Sequence, residues 1–324
     1  MSKCSTTVLL TGATGFLGKS LLQAFLQDTS LAVVVATRRT NGFLKNVVVH
    51  PIADLDASTS WNEVFQSPID IVVHSAARVH VMEDCSADPL GEYRRVNVEG
   101  TLSLARAAIE AGVKRFIFIS SIKVNGESTE PGFAFSADDA ASPLDPYGVS
   151  KMEAEQGLQD LARNSDLEVV IIRPVLIYGP GVGANFRTMM KWISRRLPLP
   201  LGAVDNKRSL VSIFNLVDFI QVCLTHPEAA NEVFLVSDGE DISVSELLRR
   251  ISHALGVSAL LVPVPVSWML PVAKMLGKQA SSRRLLSSLQ VDIAKNYRLL
   301  GWKPPVPMDK ALQLTVQYFN ESSK

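Results

Sequence analysis

The passage 7–18, TVLLTGATGFLG, restricts the fold of this chain more than any other. An unbroken apolar run stops at a loop holding Gly12, Gly15 and Gly18, and the chain then turns helical. Apolar residues on successive positions, without polar alternation, mark a strand covered on both faces, as inside a parallel sheet. Similar runs recur at 31–38 (LAVVVATR), 46–52, 69–76, 115–121 and 167–174. Helical spacing separates them at 18–27, along 98–112 with Gly112 as a C-terminal cap, and from Asp145 onward. Strand and helix in alternation predict an α/β chain built on a doubly wound parallel sheet.

In that context the glycine spacing acquires chemistry. Gly12 allows a tight turn, Gly15 lets a pyrophosphate approach the backbone, and Gly18 lets the helix pack close to the sheet. The free N–H groups and dipole of the helix N-terminus then face the phosphates, so a dinucleotide is expected there. An NAD-preferring site carries Asp or Glu at the end of the second strand; here the residues are Val35-Ala36-Thr37-Arg38-Arg39. Two guanidiniums in place of a carboxylate favour a phosphate on the ribose, hence NADP(H), with NAD(H) as the alternative. Asp54, after the third strand, is a candidate for the adenine amino group.

The 324 residues suffice for two domains, and the character of the chain changes after Pro174. A glycine-rich loop (178–186), a proline-rich segment (195–202) and mixed helices and strands follow. The expected division is a dinucleotide-binding domain over 1–174 plus about 208–238, which returns to the main sheet, and a smaller substrate domain over 175–207 and 239–324. Equal acidic and basic counts, with scattered arginine pairs, argue against a nucleic-acid partner. Three widely spaced cysteines and five unclustered histidines suggest neither disulfides nor a metal, and fit a reducing cytoplasm. The apolar stretch 262–277 is interrupted by Pro263, Pro265, Pro271 and Lys274; it reads as a loop entering a buried helix, not as a membrane span.

The stretch DPYGVSKMEAE, 145–155, carries Tyr147 and Lys151 at i and i+4, on one helix face, with Asp145 as N-cap and Pro146 at the first helical position. The preceding strand ends in Ser120-Ser121, at the carboxyl edge where open α/β sheets bind ligands. A neighbouring ammonium and an oxidised nicotinamide both favour the phenolate, so Lys151 and the bound cofactor are expected to lower the pKa of Tyr147 and make it a proton carrier, while Ser121 holds a substrate oxygen.

Taken together, TGATGFLG, HSAA (74–77), VNVEGT (96–101), SSIKVNG (120–126), YGVSK (147–151), RPVLIYGPG (173–181), RSLVSIFNLVD (208–218) and LGW (300–302) resemble an extended short-chain dehydrogenase/reductase of the NAD-dependent epimerase/dehydratase family, over nearly the whole chain. The resemblance implies a Rossmann doubly wound sheet with a smaller mixed α/β C-terminal region, and Ser121, Tyr147 and Lys151 as the catalytic triad. It implies cofactor contacts at Gly12, Thr14, Gly15, Phe16, Leu17, Gly18, Arg38, Asp54, Leu55, Ala76, Ala77, Asn97 and Pro174. Substrate contacts fall to Lys123, Asn185, Arg208 and Arg284, the last three toward a nucleotide diphosphate. It further implies a UDP-sugar substrate, and a homodimer formed through the Tyr147 helix and its neighbour at 97–111.

The 4,6-dehydratases of the family carry Thr-Asp-Glu where this chain has Ser121-Ile122-Lys123, so elimination is not expected. Two reactions at sugar C4 remain. The missing acid after the second strand favours reduction of a UDP-4-keto-6-deoxy-HexNAc by NADPH, a step of surface-polysaccharide synthesis. The alternative is a UDP-glucose or UDP-GlcNAc 4-epimerase holding NAD. A non-catalytic NADP-binding regulator is a third reading, opposed by the presence of Ser121, Tyr147 and Lys151 together.

Overall fold

Strands that lack polar alternation need cover on both faces, and this chain supplies it with helices. The computed structural model describes residues 5–40, 42, 47–79, 88–275 and 279–322. Its main sheet has seven strands, all parallel: β1 (Thr6–Thr11), β2 (Leu31–Thr37), β3 (Val48–Pro51), β4 (Ile71–His74), β5 (Arg115–Ile119), β6 (Glu168–Pro174) and β9 (Val233–Val236). They lie in the order β3-β2-β1-β4-β5-β6-β9. The strand order reverses between β1 and β4, which opens a crevice beyond their carboxyl ends.

Alternate residues of each strand enter different cores. Val8 and Leu10 join Leu21 and Phe25 of α1 (Phe16–Gln27) and Leu216, Phe219 and Ile220 of α6 (Ile213–Thr225). Leu9 faces Leu104 and Ala108 of α3 (Gly100–Glu110) and Ala154 and Leu158 of α4 (Pro146–Arg163). α2 (Pro89–Arg94) runs into α3 through one π-helical turn, Arg95–Glu99.

The smaller C-terminal region has its own sheet and core. β7 (Leu176–Tyr178) pairs parallel with β8 (Arg208–Ser212), which pairs antiparallel with β10 (Asp241–Ile242). Phe186 of α5 (Ala184–Ser194), Leu248 of α7 (Val244–Ala254) and Leu312 of α11 (Met308–Glu321) pack there. The segment 208–238 therefore divides: β8 stays with the small sheet, while α6 and β9 return to the large one. α10 (Ala294–Leu300) ends at Gly301, and Trp302 beyond it lies buried, edge-on to Phe219 at 4.8 Å, with its indole N–H on Asp218.

One expectation fails here. The 262–277 stretch does enter a helix, α8 (Val266–Met275), followed by α9 (Gln279–Leu286), but α8 is not buried: Trp268 is 71% exposed and Met275 87%. Prolines lie before and within it, and among its described side chains Val266 and Met269 pack on the small core.

The glycine loop ties this frame to the site. Gly12 has φ +75°, and a Cβ on it would lie 2.6 Å from the Ala76 nitrogen of the loop after β4. A Cβ on Gly18 would lie 2.0 Å from the Gly12 carbonyl oxygen. Gly18→Ala therefore has to push the loop off the helix. A loss of about 1–3 kcal/mol is expected, read as a lower urea midpoint with an unchanged slope.

Candidate active site

The crevice is assembled from the ends of β1, β4, β5 and β6 and the start of α4. α1 begins at Phe16 after Gly15, with no side-chain cap and no acid in its first turn, so its leading N–H groups are open to an anion. Thr14 and Gly15 are exposed at the tip, Phe16 is half-buried, and Leu17 and Gly18 are buried toward the sheet. That cradle, which a Cβ at Gly12 or Gly18 would fill, fits a dinucleotide pyrophosphate. Ala76 and Ala77 lie directly across from it, after β4.

Asn97 sits in the π-helical turn and is 1% exposed. Its side chain accepts from Arg78 N (2.8 Å) and donates to Arg78 O (3.1 Å) and Ser150 Oγ (3.0 Å). It thereby pins the loop after β4 to the helix bearing Tyr147. A wider turn of this kind commonly re-aims a side chain at a functional site.

Beyond β2, Arg38 Nη1 lies 3.4 Å from Asp54 Oδ1, and Arg95 Nη1 donates to Asp54 Oδ2 at 2.8 Å. The Arg95 hydrogen bond and the Leu55 N–H hold the Asp54 carboxyl below its ordinary range. The loop after β3 thus brings a carboxylate to the place where β2 itself has none. Leu55 is buried, and Pro174 closes β6 against β9.

The two central residues come from one helix turn apart. Asp145 accepts from Gly148 N at 2.7 Å and caps α4, and Pro146 occupies the first helical position. Tyr147 has the Ser121 hydroxyl, at the end of β5, close enough to its phenol to favour the phenolate, and it packs edge-on against Tyr93 at 6.0 Å. Lys151 is 1% exposed; its Nζ donates to Ile119 O at 2.8 Å and lies 4.3 Å from the Phe118 ring centroid.

The expected depression of the Tyr147 phenol is not found. Burial raises it above the ordinary tyrosine value, the Asp145 charge adds to this, and the nearby Ser121 hydroxyl opposes it. Burial also pulls the Lys151 ammonium down to about 7, against the Glu155 carboxylate. Desolvation disfavours the charged form of both groups, and at Tyr147 it outweighs what its neighbours contribute.

Beneath this pair lies a polar network that the motif search overlooked. Glu155, one further turn along α4, accepts from Ser120 Oγ and from Arg173 Nε (3.0 Å) and Nη2 (2.6 Å). Arg173 Nη1 donates to Asn125 Oδ1 at 2.9 Å, and Asn125 donates to Ser136 O at 3.0 Å. Glu155, Arg173, Ser120 and Asn125 are all buried. The i+4 spacing of Tyr147, Lys151 and Glu155 was the available signal.

On the opposite side, Lys123 pairs with Asp145 and sits 5.9 Å from the Tyr147 ring centroid; it does not point to solvent. Glu127, also missed, lies 3.5 Å from Lys123 Nζ and 3.4 Å from Arg284 Nη2. Arg208 Nη1 donates to Arg284 O (2.7 Å) and Ser287 O (3.1 Å), and burial lowers its pKa. Arg208 and Arg284 are therefore brought together at the rim of the Tyr147 pocket. Asn185 lies in the first turn of α5, and its side chain is outside the described ones. Ile122 is buried and Lys123 is paired, so no carboxylate follows Ser121 where a dehydratase would need one.

Comparison with known proteins places the chain in a family. Residues 8–237 match the NAD dependent epimerase/dehydratase family. The chain belongs to that family. It is similar to a UDP-glucose 4-epimerase of Vibrio cholerae, 46% identical over 322 residues that cover 99% of this chain and 98% of that protein. Among solved structures, MoeE5 in complex with UDP-glucose and NAD is 25% identical, with a TM-score of 0.77 over 98% of this chain and 100% of that one. The UDP-glucuronic acid 4-epimerase of Bacillus cereus in complex with NAD shares the fold at 23% identity and TM-score 0.78, covering 98% and 100%.

Two outcomes follow from the buried groups of this family member. Glu155→Gln leaves the Arg173 guanidinium buried without its counter-charge, which is expected to cost about 3–5 kcal/mol in urea unfolding. The double variant Glu155→Gln/Arg173→Gln then loses less than the sum of the two single changes. His74 is fully buried between Thr11 Oγ1 (2.7 Å) and Thr101 Oγ1 (3.0 Å), and burial, with the Lys151 charge, lowers its pKa to about 3. The unfolded chain binds a proton at His74 below about 6.5 and the folded chain does not, so stability falls as pH drops from about 6.5 toward 3, by at most about 5 kcal/mol. The urea midpoint of His74→Gln should vary less over that window than that of the unaltered protein.

Proposed function

We propose that this chain is a UDP-hexose 4-epimerase, acting on UDP-glucose or UDP-GlcNAc with NAD held in the glycine-loop crevice. What carries the reading is the near-full-length identity to the Vibrio cholerae UDP-glucose 4-epimerase, on a chain whose Ser121, Tyr147 and Lys151 meet at one sheet edge. The binding residues are the leading N–H groups of α1, the Gly12–Ala76 cradle, and Asp54 beside the end of β2. Asp54 supports NAD over NADP, because a 2′-phosphate would meet its charge as well as that of Arg38. The neighbour names also favour NAD.

Bound NAD supplies the hydride acceptor and donor for sugar C4. The chain's own residues handle the oxygen. Ser121 holds the 4-hydroxyl, and Tyr147 takes its proton as the C4–H bond breaks and returns it when hydride comes back to the other face. Lys151, on the same face of α4, offsets the phenolate charge inside the pocket. Arg208 and Arg284 hold the nucleotide diphosphate while the sugar turns over. In this reading residues 1–174 with α6 and β9 bind the cofactor, and the remainder binds the nucleotide sugar.

A second reading is favoured by one observation: Arg38 and Arg39 follow β2 with no acid of their own. A 4-ketoreductase using NADPH on a UDP-4-keto-6-deoxy-HexNAc would make that use of them. The experiment is interconversion of UDP-glucose and UDP-galactose, and of the N-acetyl pair, with no cofactor added. The epimerase reading expects turnover, and Tyr147→Phe should lower kcat by about 10²–10⁴ while UDP affinity is kept. No interconversion of either pair, with NADPH-dependent reduction of the 4-keto sugar instead, would replace it by the reductase.

A further inference from the structure

A helix with apolar residues on two faces belongs in a core or against a partner, because water satisfies neither of them. α8 is such a helix, polar only along Ser267 and Lys274. Val266 and Met269 face the small core, while Trp268, Pro271 and Met275, at i, i+3 and i+7, form a second face that is exposed and carries no charge. The segment entering it adds Leu260 at 54% and Val262 at 40% exposure. No described helix is long and apolar enough to cross a membrane.

The charge of the segment that carries this face is one-sided. From Leu247 to Val291 the sequence holds no Asp or Glu, although acidic and basic residues balance over the whole chain. From 255 to 291 its charged residues are Lys274, Lys278, Arg283 and Arg284, of which Arg284 turns toward Glu127. Lys274 is exposed beside Met275. Leu199 exchanges backbone hydrogen bonds with Leu260 and Val262, so the exposed Arg195 and Arg196 lie within four residues of the same pairing.

From this combination we propose that α8 and the segment leading into it dock on the surface of an anionic phospholipid bilayer. Trp268 and Met275 would enter the headgroup boundary, and Lys274, Arg195 and Arg196 would meet the lipid phosphates. A second copy of the chain is the weaker occupant. A two-fold contact sets each patch against itself, and here that places cations against cations with no acid in 247–291 to offset them. Trp268, Met275, Lys274, Arg195 and Arg196 take no part in the site described above, so the inference stands whether the enzyme is an epimerase or a reductase.

The test is co-sedimentation of the full-length protein with vesicles containing about a third phosphatidylglycerol, beside vesicles of phosphatidylcholine alone. Binding is expected on the anionic vesicles, weakening with added salt, and at least about tenfold weaker on the neutral ones. Trp268→Ser/Met275→Ser, which alters only exposed positions, should weaken it by about tenfold or more while turnover in solution is unchanged. Equal binding to both vesicles, no binding to either, or undiminished binding of the double variant would overturn the proposal. So would a loss of self-association by that variant in sedimentation velocity, which would mean that a second copy covers the face.

Discussion

The buried pair of Glu155 and Arg173 holds the site in register. Arg173 rises from β6, Glu155 from α4, and Ser120 from the end of β5; Asn125 joins from the following loop. A charged pair removed from water survives only when its remaining donors and acceptors are met, and here they are shared among four elements. One turn earlier on the same helix is Lys151, whose Nζ reaches Ile119 O on β5. The distance between Ser121 and Tyr147 is thus a consequence of how α4 is locked to the sheet, not of contacts between the two residues alone.

The pocket is also a place where desolvation outweighs charge. Tyr147, Lys151 and His74 are all pushed toward their neutral forms, chiefly by burial. A protein that kept these groups neutral in a dry crevice, beside an open helix N-terminus, would respond strongly to any charge placed among them, since little water screens it. The rim behaves differently. Lys123, Asp145, Glu127 and Arg284 form a chain of partly exposed ion pairs, which links the loop after β5 to α9.

Much of this was legible in the residues. Continuous Val and Ile runs announced the parallel strands to within a few positions, because burial on both faces leaves no polar alternation. Gly12, Gly18, Asp145, Pro146, Tyr147 and Lys151 fell where local rules placed them, since each acts through its own backbone or its own helix. What escaped depends on partners distant in sequence. Nothing in the sequence around Glu155 marks the Arg173 that β6 brings to it. Asn97 showed nothing of the π-helical turn that aims it. The direction of the Tyr147 shift was misjudged because spacing reveals a neighbouring ammonium but not the loss of water around both groups. α8 was taken for a core helix because apolar composition does not say whether anything covers it.

The proposed epimerase would hold NAD in the crevice formed by the glycine loop, with Asp54 beside Arg38. Identifying the nucleotide released when the purified protein is denatured tests that claim most directly. Release of NAD in near-stoichiometric amount, with no NADPH, is the expected result. An empty site that takes up NADPH more tightly than NADH would contradict it, and would assign Arg38 and Arg39 to a 2′-phosphate.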